Sequence, residues 1–174
     1  LVDAVLDITT TEWADHICGG VFDAGAERLT APGRRGIPHL IVPGCIDMCN
    51  WGGRDTIPGE YDNRLFYVWN PSVTLMRTTA EENRRMGEIF ARKANSATGP
   101  VAILIPTGGY SILDSVVDGE PQPFWNPEAD RAFVEGLRSE LNKSIEVVEM
   151  DANINDEEFA DRAVEMLNKL MGRQ

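Results

Sequence analysis

Apolar and polar positions along the chain fall into two rhythms. Five short, nearly continuous apolar runs rich in β-branched residues stand out: Val5 to Thr9, His39 to Val42, Leu65 to Trp69, Val101 to Ile105 and Ile145 to Glu149. Runs of this kind read as strands covered on both faces. Between most of them lie stretches with apolar residues at helical spacing. Thr11 opens a helix at Glu12 that carries Trp13, Ile17 and Val21. Thr79 opens the clearest one, with Glu81 and Glu82 in its first turn and Met86, Ile89, Phe90 and Ala94 on one face, and Ala97-Thr98-Gly99-Pro100 stops it. Asn126-Pro127 starts a helix through Phe133 and Leu137 to about Leu141, and Asp156 starts the last, with Phe159, Ala163, Met166, Leu167 and Leu170 inward. Strand and helix in alternation predict an α/β fold: a three-layer, Rossmann-like open sheet, mainly parallel, of about five strands with helices on both faces.

In such a sheet ligands sit beyond the carboxyl ends of the strands. The segments expected there are Thr9-Thr10-Thr11, Pro43 to Met48, Asn70-Pro71 and Pro106 to Ser111, all rich in glycine, proline, hydroxyls or amides. The threonine run, between strand and helix, reads as an anion site or as a plain helix cap. Gly108 and Gly109 read as a phosphate cradle or a tight turn, without the Lys-Ser/Thr ending of a P-loop. Asp47 is a candidate acid or base, and Arg77 a candidate clamp for a carboxylate or phosphate, or the partner of a nearby aspartate. The candidate ligand-binding set is therefore Thr9, Thr10, Thr11, Gly44, Asp47, Arg77, Thr78, Gly108, Gly109 and Ser111, with no catalytic residue assigned. The long segment from Gly44 to Arg64, containing Trp51-Gly52-Gly53, is expected to be ordered and to fold over the sheet's edge or against a partner.

Composition narrows the partners more than the fold. The 174 residues suit one domain, and 28 acidic against 16 basic side chains give a formal charge of −12. That sign disfavours nucleic acid and acidic membrane surfaces. Three cysteines, Cys18, Cys45 and Cys49, argue for free thiols in a reducing, cytoplasmic setting. A zinc site would need them assembled with His16 or His39, and no metal is expected. No run reaches the ~20 apolar residues of a membrane span. A first residue of leucine, just ahead of a stretch read as buried strand from Val2 to Ile8, leads to the expectation that further chain precedes it.

Several stretches together carry a resemblance: Leu6-Asp7-Ile8-Thr9-Thr10-Thr11-Glu12, Pro43-Gly44-Cys45-Ile46-Asp47-Met48, Asn70-Pro71-Ser72-Val73-Thr74-Leu75-Met76-Arg77-Thr78-Thr79, and Pro123-Phe124-Trp125-Asn126-Pro127-Glu128-Ala129-Asp130. In this order, and over nearly the whole chain, they resemble the C-terminal half of the tomato mosaic virus resistance protein family, with its bacterial and fungal relatives. The resemblance implies a protein of two Rossmann-like halves, the first regarded as the ATP-binding one, with plant members fused to a barrel resembling phosphoenolpyruvate hydrolases. Cys45 and Cys49 depart from the small or aliphatic residues expected there. Three readings follow. The chain is a subdomain completing a nucleotide or small-anion site in a cleft shared with the N-terminal half, with ATP held mainly by that half. Alternatively it is an enzyme half acting on a small carboxylate or phosphate metabolite. The third reading is a structural or homodimerising half, in which Trp51 packs against another subunit.

Overall fold

A computed structural model describes residues 2–173. Its centre is a four-stranded parallel sheet in the order β1 (Val5–Thr9), β2 (His39–Gly44), β6 (Val101–Pro106), β9 (Glu146–Met150). Register runs directly across it, with Val5 opposite His39, His39 opposite Val101, and Ala102 opposite Glu146.

The two central strands are buried throughout or nearly so, and their alternate residues face two separate cores. Ile41, Ile103 and Ile105 meet Trp13, Met86, Phe90, Phe133 and Leu137, from α1 (Glu12–Cys18), α3 (Ala80–Asn95) and α4 (Pro127–Glu140). Leu40, Val42, Ala102 and Leu104 meet Phe159, Ala163 and Met166 of α5 (Glu157–Leu170). Helices thus cover both faces, as the unbroken apolar runs required. The short α2 (Ala31–Arg35) precedes β2. Thr79 caps α3 in a full capping box with Glu82, and the Asn126 side chain accepts from Ala129 N at the start of α4.

The sheet has four strands where five were expected, and the difference lies in the middle of the chain. The run at Leu65 to Trp69 forms β4 (Phe66–Asn70) of a separate antiparallel sheet, ordered β3 (Met48–Trp51), β5 (Val73–Arg77), β4. A short continuous apolar run does not say which sheet it joins. Here Val68 and Trp69 are 57% and 59% exposed, while Tyr67 packs towards Phe124. Asn70-Pro71 is consequently the turn joining two antiparallel strands, away from the parallel sheet's carboxyl edge. The segment after Gly44 is ordered, through β3 and two single-turn 3-10 helices, Arg54–Thr56 and Gly59–Tyr61. A small hairpin, β7 (Val116–Val117) and β8 (Glu120–Pro121), completes the elements.

Three further expectations need correcting. Helix α1 stops at Cys18, so Val21 lies beyond it and is exposed, and Val2 precedes β1 and is exposed too. Trp51 does not project outward: it is buried and packs beside Tyr61, with ring centroids 5.7 Å apart. No described helix is long and apolar enough to cross a membrane.

Candidate functional site

The carboxyl ends of β1, β2 and β6 meet at the loop that follows β6. Asparagine 153 shapes that loop from beneath: the Asn153 Nδ2 donors reach the carbonyls of Gly108, Gly109, Ser111 and Asp114 at 3.0–3.3 Å. Gly109 has φ +121°, where L side chains are strained, and a Cβ there would lie 1.6 Å from the Asp114 carbonyl oxygen. A Cβ on Gly44 would meet the Ile8 carbonyl at 2.1 Å, and one on Gly108 would meet the Ala152 backbone. These glycines therefore let the chain approach itself. The tight-turn reading describes their geometry.

On this scaffold Asp47 and Ser111 come together. Ser111 Oγ donates to Asp47 Oδ2 at 2.7 Å and accepts from the amides of Leu113 and Asp114. Asp47 is fully buried, and its Oδ1 has no hydrogen-bond partner among the described residues. Burial first, and the nearby Asp114 carboxylate second, push its carboxyl up to about 7. A group so placed changes protonation near neutral pH, the property of a general acid or base.

Above this pair lies a depression of about 290 Å³ bordered by Ile8, Thr9, Cys45, Ser111, Ile112 and Asn155. Cys45 adopts a left-handed backbone, φ +57°, and donates its amide to the Tyr110 carbonyl at 2.8 Å. Burial, then the carboxylates of Asp47 and Glu12, push its thiol up to about 12, so it is no thiolate nucleophile at neutral pH.

Arg77 ends β5 and turns inward. Its Nε donates to the Phe124 carbonyl at 2.8 Å, Nη1 to Thr78 Oγ1 at 3.1 Å and the Asp47 carbonyl at 3.3 Å, and Nη2 to Asp130 Oδ1 at 2.7 Å. Asp114 Oδ1 lies 3.7 Å from the same Nη2. All three guanidinium nitrogens are thus engaged within the protein, and partnership with aspartates, the alternative to an anion clamp, is what the geometry displays. Thr78 serves the same network, donating to the Ile46 carbonyl and accepting from Asn83 Nδ2, both at 2.8 Å.

Three carboxylates, Asp47, Asp114 and Asp130, thus surround one guanidinium. Burial, then Asp114, raise the Asp130 carboxyl to about 7, against the pull of Arg77, and burial also raises Asp114. One arginine does not balance three anions at such depth, so the cluster retains protons at neutral pH.

The threonine run divides. Thr9 borders the depression. Thr10 is buried, with its hydroxyl towards the Val42 and Gly44 carbonyls at 3.3 and 3.4 Å. Thr11 makes no side-chain cap; it donates to the Met48 carbonyl at 3.3 Å and accepts from Asn50 Nδ2 at 2.8 Å. Asn50 in turn bonds Asp15, which places Thr11 in a separate internal network. His16 faces Asp23 and His39 faces Asp7, so neither histidine gathers with the cysteines. The three cysteines are free.

Asp114, Asp130 and Asn153 were not singled out in the sequence. Asp130 sits at the end of a quoted stretch, and Asp114 is a lone acid after apolar Ile112-Leu113. Such an acid in apolar company signals a buried, bonded carboxyl, whereas nothing in Asn153-Ile154-Asn155 separates it from an ordinary loop asparagine.

Residues 1–171 match the sequence profile described as Uncharacterised protein family (UPF0261) C-terminal domain. The chain belongs to this family. It is 43% identical over 171 residues to a UPF0261 protein of Clostridium tetani, a match covering 98% of this chain and 41% of the relative. A UPF0261 protein of Rhizobium meliloti is 41% identical over 166 residues, 94% of this chain and 41% of the relative. The ToMV resistance protein Tm-1 of Solanum lycopersicum is 37% identical over 166 residues, again 94% of this chain but 22% of the tomato protein. The chain therefore spans about two fifths of these bacterial relatives and less of the plant one, and the resemblance to the tomato protein and its bacterial relatives read in the motifs is borne out.

Proposed function

We propose that this UPF0261 domain binds a small anionic ligand, such as a nucleotide, over the carboxyl ends of β1, β2 and β6, in a cleft completed by another part of the longer protein. The observation that carries the reading is Ser111, which borders the depression while its hydroxyl holds the buried Asp47 carboxyl at 2.7 Å, one oxygen of which has no partner among the described residues. Buried polar atoms left without partners are uncommon and point to function or to an absent bonding group. Ile112 stands 65% exposed beside the same depression, an apolar side chain that a covering segment would take out of water. ATP is the first ligand to try, because the family resemblance associates nucleotide binding with the half that would form the opposite wall.

Of the ten residues picked out by sequence, Thr9 and Ser111 border the depression, Asp47 lies behind Ser111, and Gly44 packs against Ile8 and Ile154 of its rim. Arg77, Thr78, Gly108 and Gly109 shape it from behind, Thr10 braces β1 against β2, and Thr11 lies apart. A second reading, an enzyme half acting on a small carboxylate or phosphate metabolite, is favoured by the Asp47 carboxyl at about 7, which suits proton transfer at neutral pH.

Calorimetric titration of the full-length protein with ATP and with small organic acids tests both. Ser111→Ala is expected to weaken ligand binding about tenfold, near 1.4 kcal/mol. Under the enzyme reading Asp47→Asn keeps affinity and loses turnover. Unchanged affinity in Ser111→Ala would remove the site from the carboxyl edge.

A further inference from the structure

A second cavity, of about 460 Å³, opens on the other side of the same loop, between α4 and the carboxyl ends of β6 and β9. Its inner wall is largely apolar, formed by Tyr110, Pro127 and Val134, and Thr107 lies at its rim. Most of its charges are already answered. Arg138 is held by Glu149, with its Nε 3.1 Å from that carboxylate, and Glu135 is paired with Arg84 at 2.7 Å. Asp130 faces Arg77 at 2.7 Å. Arg131 alone is unanswered: it borders the cavity and makes no ion pair or side-chain hydrogen bond among the described residues.

Arg35 and Arg85 also make no ion pair among the described residues, but Arg131 is the one of these that stands at the lip of an apolar groove. The guanidinium offers two parallel donors that match a carboxylate, and the wall behind it offers cover for hydrocarbon. Ligand sites commonly combine a mostly apolar concavity with a few oriented polar groups. We infer that this groove is a binding site for a small organic acid with an apolar body, its carboxylate held by Arg131 and its body against Pro127 and Val134.

The site is distinct from the depression over Ser111 and does not depend on the function proposed for it. The two share the loop from Thr107 to Ser111, whose first residue borders one cavity and whose last borders the other. An amine in place of the acid would meet Arg131 as a like charge, and a bare inorganic anion would leave the apolar wall unused. The groove therefore discriminates on both ends of its ligand.

The test is calorimetric titration of the intact protein with phenylacetate, phenylethylamine and inorganic phosphate in parallel. Phenylacetate is expected to bind saturably, with phenylethylamine and phosphate at least tenfold weaker. Arg131→Gln is expected to weaken phenylacetate at least tenfold. Arg162→Gln, which removes an equal charge from α5, is expected to leave it within twofold. Arg131 is exposed, so its replacement leaves the fold intact, and an unchanged melting temperature verifies this. Absence of saturable phenylacetate binding, equal binding by the amine or by phosphate, or equal losses in the two arginine variants would each overturn the inference.

Discussion

The burial of Asp47 makes a prediction independent of any ligand. Its carboxyl sits at about 7 in the folded chain against an ordinary value of 3.8. Between those values the folded state holds a proton that the unfolded state has released, so stability falls as pH rises from about 4 to about 7. One such group contributes at most about 1.4 kcal/mol per pH unit. Asp130, also at about 7, acts in the same direction. Asp7, with His39 and Arg28 beside it, and Glu82, bound by Arg64, are held below their ordinary values despite burial; their stabilisation is lost only under more acidic conditions. Thermal melts between pH 5 and 7.5 should therefore show a declining midpoint in the parent chain and a shallower decline in Asp47→Asn, where the amide cannot ionise. Parallel slopes would show that Asp47 is an ordinary carboxylate. The sequence revealed Asp47 as a strand-end acid. It did not reveal Asp114 and Asp130, which lie 67 and 83 positions further on and come near Asp47 only in the fold.

At the scale of elements, α3 and α4 pack with their backbones in near contact, and two glycines make this so. A Cβ on Gly87 would lie 2.1 Å from the Phe133 carbonyl, and one on Gly136 would lie 2.1 Å from the Arg84 carbonyl. The obstacles are helix backbone, so a methyl group at either place drives the helices apart along their length. Gly136→Ala would raise helix propensity by about 1 kcal/mol if the site were open; against this contact it is expected to destabilise by about 1–3 kcal/mol. Urea unfolding of the variant decides between the signs, and a gain in stability would contradict the packing described. The helices themselves were readable from their apolar spacing and caps, because both are local. The role of the two glycines was not legible, because their partners are carbonyls from another helix. The antiparallel sheet was misread for a similar reason. Thr74, Arg77 and Thr78 are buried in or just after β5, and their polarity hid that strand from a search for apolar runs. For Arg77 and Thr78 the cost of burial is offset by bonds to distant residues, Arg77 to Phe124 and Thr78 to Ile46, whereas the Thr74 hydroxyl has no partner among the described residues.

For the whole molecule, the parallel order of β1, β2, β6 and β9 brings three loops to one edge. That follows from the alternation of strand and helix, and it was legible from the start. What gathers at that edge was legible in part. Ser111 and Asp47 meet there, while Arg77 belongs to the scaffold behind them, bound to Asp130. The formal charge of −12 does not prevent an anion from binding at this edge, since charges more than about 8 Å away are largely screened at physiological salt. Ligand, loops and the rest of the longer protein are proposed to meet over the carboxyl ends of β1, β2 and β6. Hydrogen–deuterium exchange of the full-length protein with and without millimolar ATP addresses this most directly. Slower exchange on ligand addition is expected in residues 9–11, 44–47 and 109–113, with α5 unchanged. ATP binding that protects other parts of the protein and leaves all three loops unaltered would contradict it.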